Sequence, residues 1–281
     1  MKQLLIIPIL LFVSITASAI NLEKKAQEIR AEAMKIYYSE RASWLGTDIM
    51  LEVYNRQPPS NMQSYFSYQM DTVVRCVFYS KDSIPKILLT IEFDTSFTQE
   101  KTTVADFTRD FTQKEKEYYH LRQAMNKDIE TDKGFYEYYE KTNFNIVPII
   151  DDVSKRVYIL TGTTEAGNVL FGNDYLIEFD NNNKITRRNK IHRNLIQVST
   201  EQSGDSAVGA IHTHLPETGD FITPTDICTL LLYAPFTNWG VHNVISENYL
   251  SIWSCTNRSL VLISTKALKK INKNEEKRKK K

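Results

Sequence analysis

The sequence predicts an α+β protein, with a helix-and-hairpin region over residues 20–150 joined to a strand-rich region over 151–266. Three observations predict this class. Leu22, Ala26, Ile29, Ala33 and Ile36 recur at three- and four-residue steps, which is helical spacing. From residue 73 onward, β-branched and aromatic runs alternate with polar turns, which is strand patterning. Near residue 150 the mixed pattern gives way to one dominated by strands, and the domain boundary is placed there.

Composition narrows the function classes. The 281 residues suffice for one large domain or two small ones. Lysine and arginine number 35 against 34 aspartates and glutamates, so no charge excess points to nucleic acid. With 15 Tyr and 13 Phe against 9 Gly and 8 Pro, the chain reads as a packed globule.

At the start, Lys2 precedes the apolar run Leu4 to Ala17, and Ala17-Ser18-Ala19 offers small residues for cleavage. This predicts a secretory signal peptide over residues 1–19, removed before Ile20. The run is shorter than the roughly 20 residues a membrane span needs. No cysteine follows it, which argues against a lipoprotein anchor. The expectation is an exported protein, periplasmic or extracellular, without a stable membrane span. Cys76, Cys228 and Cys255 are an odd count, leaving at least one thiol unpaired. Cys228 and Cys255 lie in the same half of the chain and are a candidate pair, which their spacing does not decide.

In chain order, Asn21 is the expected N-cap of a first helix, which a break near Gly46 ends. Gln57-Pro58-Pro59-Ser60-Asn61 marks a loop. Val73 to Tyr79 and Lys86 to Phe93 form an expected antiparallel hairpin around the turn Ser80 to Pro85. Thr103 is the expected cap of a long helix carrying Val104, Phe107, Phe111, Tyr118, Leu121, Met125 and Ile129 on one side. His120 reads as a surface or packing residue. The aromatic cluster Phe135 to Tyr139 reads as core or interface.

Strands are expected at Arg156 to Thr161 and Asn168 to Phe179, with a turn at Asp180 to Asn183. The basic stretch Lys184 to Arg193, which includes His192, reads as a solvated strand face. Ser203 to Ser206 is a loop. Val241 to Ser246 and Tyr249 to Trp253 form a closing hairpin turned at Glu247-Asn248, and Ser259 to Ser264 is a further strand. His242 reads as an ordinary strand histidine. The Lys-, Asn- and Glu-rich residues 267–281 are expected to be a basic, disordered tail.

The chemistry concentrates in Ala207 to Asp226, reading AVGAIHTHLPETGDFITPTD. If Val208 to His214 is a strand, its period of two places His212 and His214 on one face, about 6.5–7 Å apart at the backbone. Their nitrogens can then converge on one zinc ion, at about 2.0–2.1 Å each. Asp226 opens an apolar run, Ile227 to Tyr233, that reads as a helix, so its carboxylate can return as a third ligand. Two histidines and one acid leave a coordination position free for water, the pattern of a catalytic zinc site. Cys228, about 200° around the helix from Asp226, is expected to point elsewhere.

The flanks add a resemblance. Glu165 precedes the glycine-marked run Ala166 to Gly172, His212-Thr213-His214 follows, and Thr223-Pro224-Thr225-Asp226 opens a helix. In this order the elements resemble the JAB/MPN metallopeptidases, the JAMM family, over roughly Arg156 to Ser264. The spacer Leu215 to Ile222 is one residue longer than the family's seven, and Thr223 stands where the family has serine. The resemblance implies a mixed sheet with flanking helices, of the JAB/MPN and cytidine-deaminase-like form. It implies zinc ligation by His212, His214 and Asp226, with Glu165 as general base and Thr223 holding the oxyanion. Glu178 and Glu201 stay open as alternative bases. The implied reaction is hydrolysis of a peptide, isopeptide or amide bond in a peptide or protein substrate. The competing expectation is a non-catalytic envelope binding or scaffold protein on the same fold. The oligomeric state is open.

Overall fold

The computed structural model describes residues 7–199, 209–237 and 239–279, with side chains from residue 21 onward apart from 209 and 279. Backbone contacts divide the chain into two units, Met34–Thr200 and Met1–Ala33 with Glu201–Lys281. Helix α1 (Ile7–Val53) contributes its second part to the first of these and its first part to the other.

In the unit Met34–Thr200, β1 (Met62–Met70), β2 (Val73–Ser80), β3 (Ile87–Asp94) and β4 (Thr103–Ala105) form an antiparallel sheet in that order. Helix α2 (Gln113–Thr131) follows. After it come β5 (Thr142–Ile150), β6 (Lys155–Thr163), β7 (Asn168–Gly172), β8 (Tyr175–Phe179), β9 (Ile185–Lys190) and β10 (Leu195–Ser199). A second antiparallel sheet has the order β5-β6-β8-β9, while β7 pairs with β10 as a separate ribbon.

Helices cover the apolar faces of the two four-stranded sheets. Ala42 and Met50 of α1 pack on Val74, Cys76, Phe78, Leu89, Ile91 and Phe93 of β2 and β3. Leu121 and Met125 of α2 pack on Val157, Ile159, Tyr175 and Ile177 of the second sheet. Tyr118, on the same helix, joins Phe66, Tyr68, Val77 and Tyr79 of the first sheet. Alternation along the strands supplies these apolar faces, and their burial removes hydrocarbon from water.

The other unit holds β11 (Gly209–Thr213), α3 (Pro224–Tyr233), β12 (Val241–Ile245), β13 (Tyr249–Ser254), β14 (Ser259–Ser264) and α4 (Thr265–Lys279). Its four strands form one mixed sheet in the order β11-β12-β13-β14. β11 runs parallel to β12, and the rest is antiparallel. A parallel neighbour needs a crossover, and α3 provides it. The α+β class and the mixed sheet expected for the C-terminal region are therefore present.

Several expectations are corrected. The first helix does not begin at Asn21 or break at Gly46; both lie inside α1. A Cβ on Gly46 would stand 2.7 Å from Cys76 Sγ, so the glycine marks a close helix-to-strand approach rather than an end. Thr103 begins the short strand β4 and caps no helix, and Val104 and Phe107 are exposed. The cap is Thr112, whose side chain accepts from Glu115 N while the Glu115 carboxylate accepts from Thr112 N. Asn168 to Phe179 is two strands, broken at Asn173-Asp174. There Gly172 and Asn173 take left-handed backbone angles, φ 92° and 51°. The change of pattern near 150 falls in the turn of the β5–β6 hairpin, which pairs Ile150 with Lys155. The tail is helical as far as Lys279. The hairpin at 73–93, the strand Ser259–Ser264 and the closing hairpin at 241–254 lie where expected. Cys76, Cys228 and Cys255 form no disulfide, so the candidate pair Cys228–Cys255 is not made. Among the described residues no helix is long and apolar enough to cross a membrane.

Two outcomes test this packing. Alanine at a helical glycine ordinarily stabilises by about 1 kcal/mol. Gly46→Ala should instead destabilise, by about 1–3 kcal/mol, because the added methyl overlaps Cys76; denaturant unfolding measures it. Glu40, buried on α1, has its carboxyl pushed up to about 7 from 4.5, chiefly by burial, against a hydrogen bond from Asn145 and the charge of Arg122. Its proton is bound in the folded state and lost first in the unfolded one. The stability it confers is complete below 4.5 and is lost as pH rises through about 7. Glu40→Gln should flatten that fall in melting temperature between pH 4.5 and 8, while a variant that keeps the wild-type slope would contradict it.

Candidate metal centre

The strand β11 carries the first histidine. Ala210 and His212 alternate onto the same face, and His214 continues that side just beyond the strand end. The chain stays tied to the sheet there, because His214 N donates to Ile245 O at 2.8 Å. The loop to α3 is then anchored from the β12–β13 turn. Ser246 Oγ donates to Asp220 O at 2.8 Å, and Asn248 Nδ2 donates to Asp220 Oδ1 at 3.0 Å. Ile222 N donates to Ser251 Oγ at 3.0 Å. These bonds fix where α3 starts.

Thr223 caps α3 and Pro224 occupies its first turn, where a missing N–H costs nothing. Thr223 Oγ1 accepts from Asp226 N at 3.1 Å, and Thr223 N donates to Asp226 Oδ2 at 2.9 Å. Thr223 Oγ1 also lies 2.8 Å from Asp226 Oδ2, close enough to donate its proton there. Asp226 thus closes a capping box and is almost wholly buried, with its carboxylate oriented by two bonds to one oxygen.

The imidazoles meet this carboxylate. His214 Nε2 is 3.3 Å from Asp226 Oδ2, and His212 Nε2 is 3.8 Å from Asp226 Oδ1. The two Nε2 atoms are 3.0 Å apart. Ligands on a tetrahedral zinc with bonds near 2.0 Å stand about 3.3 Å from one another. The three donors therefore lie near the spacing that one such ion needs. The expected ligands His212, His214 and Asp226 are brought together, as is Thr223.

A fourth residue joins them that sequence reasoning passed over. His242 on β12 lies with its Nε2 2.8 Å from His212 Nδ1, the rings 5.0 Å apart at their centroids. Parallel pairing places His242 beside Ala210, one alternation from His212. Burial, then the neighbouring His212, pushes its pKa down to about 4, with Asp226 acting the other way. At neutral pH His242 is uncharged. A lone histidine on a strand carries no signal of this kind; only the parallel register reveals it.

Three acids remain as candidate bases. Glu165 sits in the turn after β6 of the unit Met34–Thr200, its Oε1 accepting from Lys141 Nζ at 2.5 Å. Glu178, on β8, faces Arg187 at 3.9 Å. Glu201 lies outside the described residues. His192, in the same unit as Glu165, is buried with Nδ1 3.1 Å from Asp174 Oδ2 rather than lying on a solvated face.

The hydroxyl expected to hold an oxyanion is thus engaged with Asp226. Thr223→Val should lose the cap and the carboxylate's restraint together. We expect about 1 kcal/mol of destabilisation and a zinc affinity lower by roughly tenfold, whereas Thr223→Ser keeps both. Chelator competition alongside thermal melts measures the two effects. No protein-family model, curated protein or solved structure matches this chain.

Proposed function

We propose that the chain is an exported zinc-dependent hydrolase that cleaves a peptide, isopeptide or amide bond. The observation that carries the reading is the convergence of His212, His214 and Asp226 within 3.0–3.8 Å in a buried setting. Two imidazoles and one carboxylate are the donor set of hydrolytic zinc, and they leave a coordination position open. A bound zinc ion supplies there an acidified water and a Lewis acid for the scissile carbonyl.

The chain's own residues have separable tasks. His212 and His214 offer neutral nitrogen donors. Asp226 contributes the one negative charge, so the loaded site keeps a net positive charge that favours an oxyanion. Thr223 restrains that carboxylate through the two contacts to Oδ2. The general base must take a proton and pass it to the leaving amine. Chain order, in its resemblance to the JAB/MPN metallopeptidases, assigns this to Glu165. Its bond to Lys141 must then open before it accepts a proton.

A second reading has an observation of its own. Ile211, Ile245 and Val261 are exposed on the sheet face opposite the histidines, an apolar surface suited to binding rather than chemistry. The experiment that separates the readings starts with metal content. The purified chain should carry close to one zinc, and His212→Ala should abolish it while leaving the fold intact. Glu165→Gln should keep the zinc and lose hydrolysis of a peptide library by about a hundredfold or more. A wild-type chain that takes up no zinc sinks the hydrolase reading and leaves the binding module.

A further inference from the structure

We propose that His242 is a positioning residue that holds His212 in the tautomer with its proton on Nδ1, leaving Nε2 bare for the metal shared with His214 and Asp226. The inference rests on the metal reading above and deepens it. His212 has two ring nitrogens and, when neutral, one proton between them. Its Nδ1 faces His242 Nε2 at 2.8 Å, and its Nε2 faces His214 Nε2 at 3.0 Å. If the proton were on Nε2, it would point at His214 and close both Nε2 atoms to a metal. With the proton on Nδ1, His212 donates to His242 and its own Nε2 lone pair stays available.

Position selects His242 for this task over direct ligation. The His212 ring lies between His242 and the nitrogen that faces Asp226, so His242 stands behind the ligand. It is also rigidly placed. β12 is bonded to a strand on each side, and His242 pairs with Ala210 and Trp253, neither free to shift without breaking the sheet. His242 is 2% exposed and Trp253 is fully buried, so its side of the bond to His212 is shielded from water. Histidines that bind metals commonly donate their second N–H to such a partner, and removing it typically lowers metal affinity 10–100-fold. An imidazole acceptor does this without adding a second buried negative charge beside Asp226.

The test combines nitrogen-detected NMR of the histidine rings with zinc competition against a chromophoric chelator. The wild-type chain should show the His212 proton on Nδ1 both metal-free and zinc-loaded. His242→Ala should mix the His212 tautomers and weaken zinc binding by roughly 10–100-fold. His242→Gln, whose amide oxygen reaches nearly the place of Nε2, should restore both within a few-fold. A proton found on Nε2 in the wild type, or zinc affinity unchanged in His242→Ala, would overturn the proposal. Should His242→Ala fail to fold, the wild-type tautomer and the His242→Gln affinity still decide it. Failure of the wild type to take up zinc overturns only the metal reading, and the tautomer of the metal-free chain then supports or overturns this one.

Discussion

The restraint on Asp226 is the interaction on which the candidate centre depends. A carboxylate at the third position of a helix ordinarily swings between cap and solvent. Here one oxygen is held by the N–H and hydroxyl of Thr223, and solvent is excluded. The carboxylate becomes a fixed point, and the two imidazoles approach it from β11. The same contacts that start α3 therefore set the geometry of the centre. Secondary structure and site are one construction at this place, with a single hydrogen-bonded unit serving as helix cap and as ligand support.

Burial makes the arrangement costly without a cation. An ionised carboxylate removed from water loses several kcal/mol of hydration even after relaxation. The two imidazoles beside it offer dipoles and hydrogen bonds, and His242 behind them is held further from protonation by the same burial. A divalent ion between His212, His214 and Asp226 would replace the lost hydration with direct bonds. Binding of that ion to the folded form alone would then stabilise this unit by linkage. The apolar sheet face beneath, with buried Val244 and Trp253, keeps the local dielectric low and strengthens the electrostatic interactions of the carboxylate.

Much of this was legible in the sequence, where the signal was local. Alternation marked β2, β3, β13 and β14, and His-x-His on an apolar run marked β11. Thr-x-x-Asp before an apolar stretch marked α3 and its acidic first turn. The misreadings share a cause as well. Thr103 and Thr112 each have a carboxylate three residues on, but Asp106 accepts from Tyr54 Oη, whereas Glu115 bonds back to Thr112 and completes the box. Gly46 reads as a breaker until Cys76 is known to lie against it. Asn173-Asp174 interrupts a strand because buried Asn173 donates to Glu137 O and Thr161 Oγ1, partners distant in the chain. Each failure is a tertiary contact overriding a local preference.

His242 is the sharpest instance, because nothing within ten residues of it distinguishes it from a core histidine. Its role comes from the decision of β12 to lie parallel to β11, and that decision belongs to α3, the crossover between them. An antiparallel β12 would have presented the same residue in a different register. The helix therefore does two things for the centre: its first turn delivers Asp226, and its length returns the chain so that His242 stands behind His212. A site whose ligand, supporting residue and strand order all follow from one ten-residue helix forms only when that helix docks. Metal affinity in this unit should for that reason track the integrity of α3 as closely as the identity of the ligands themselves.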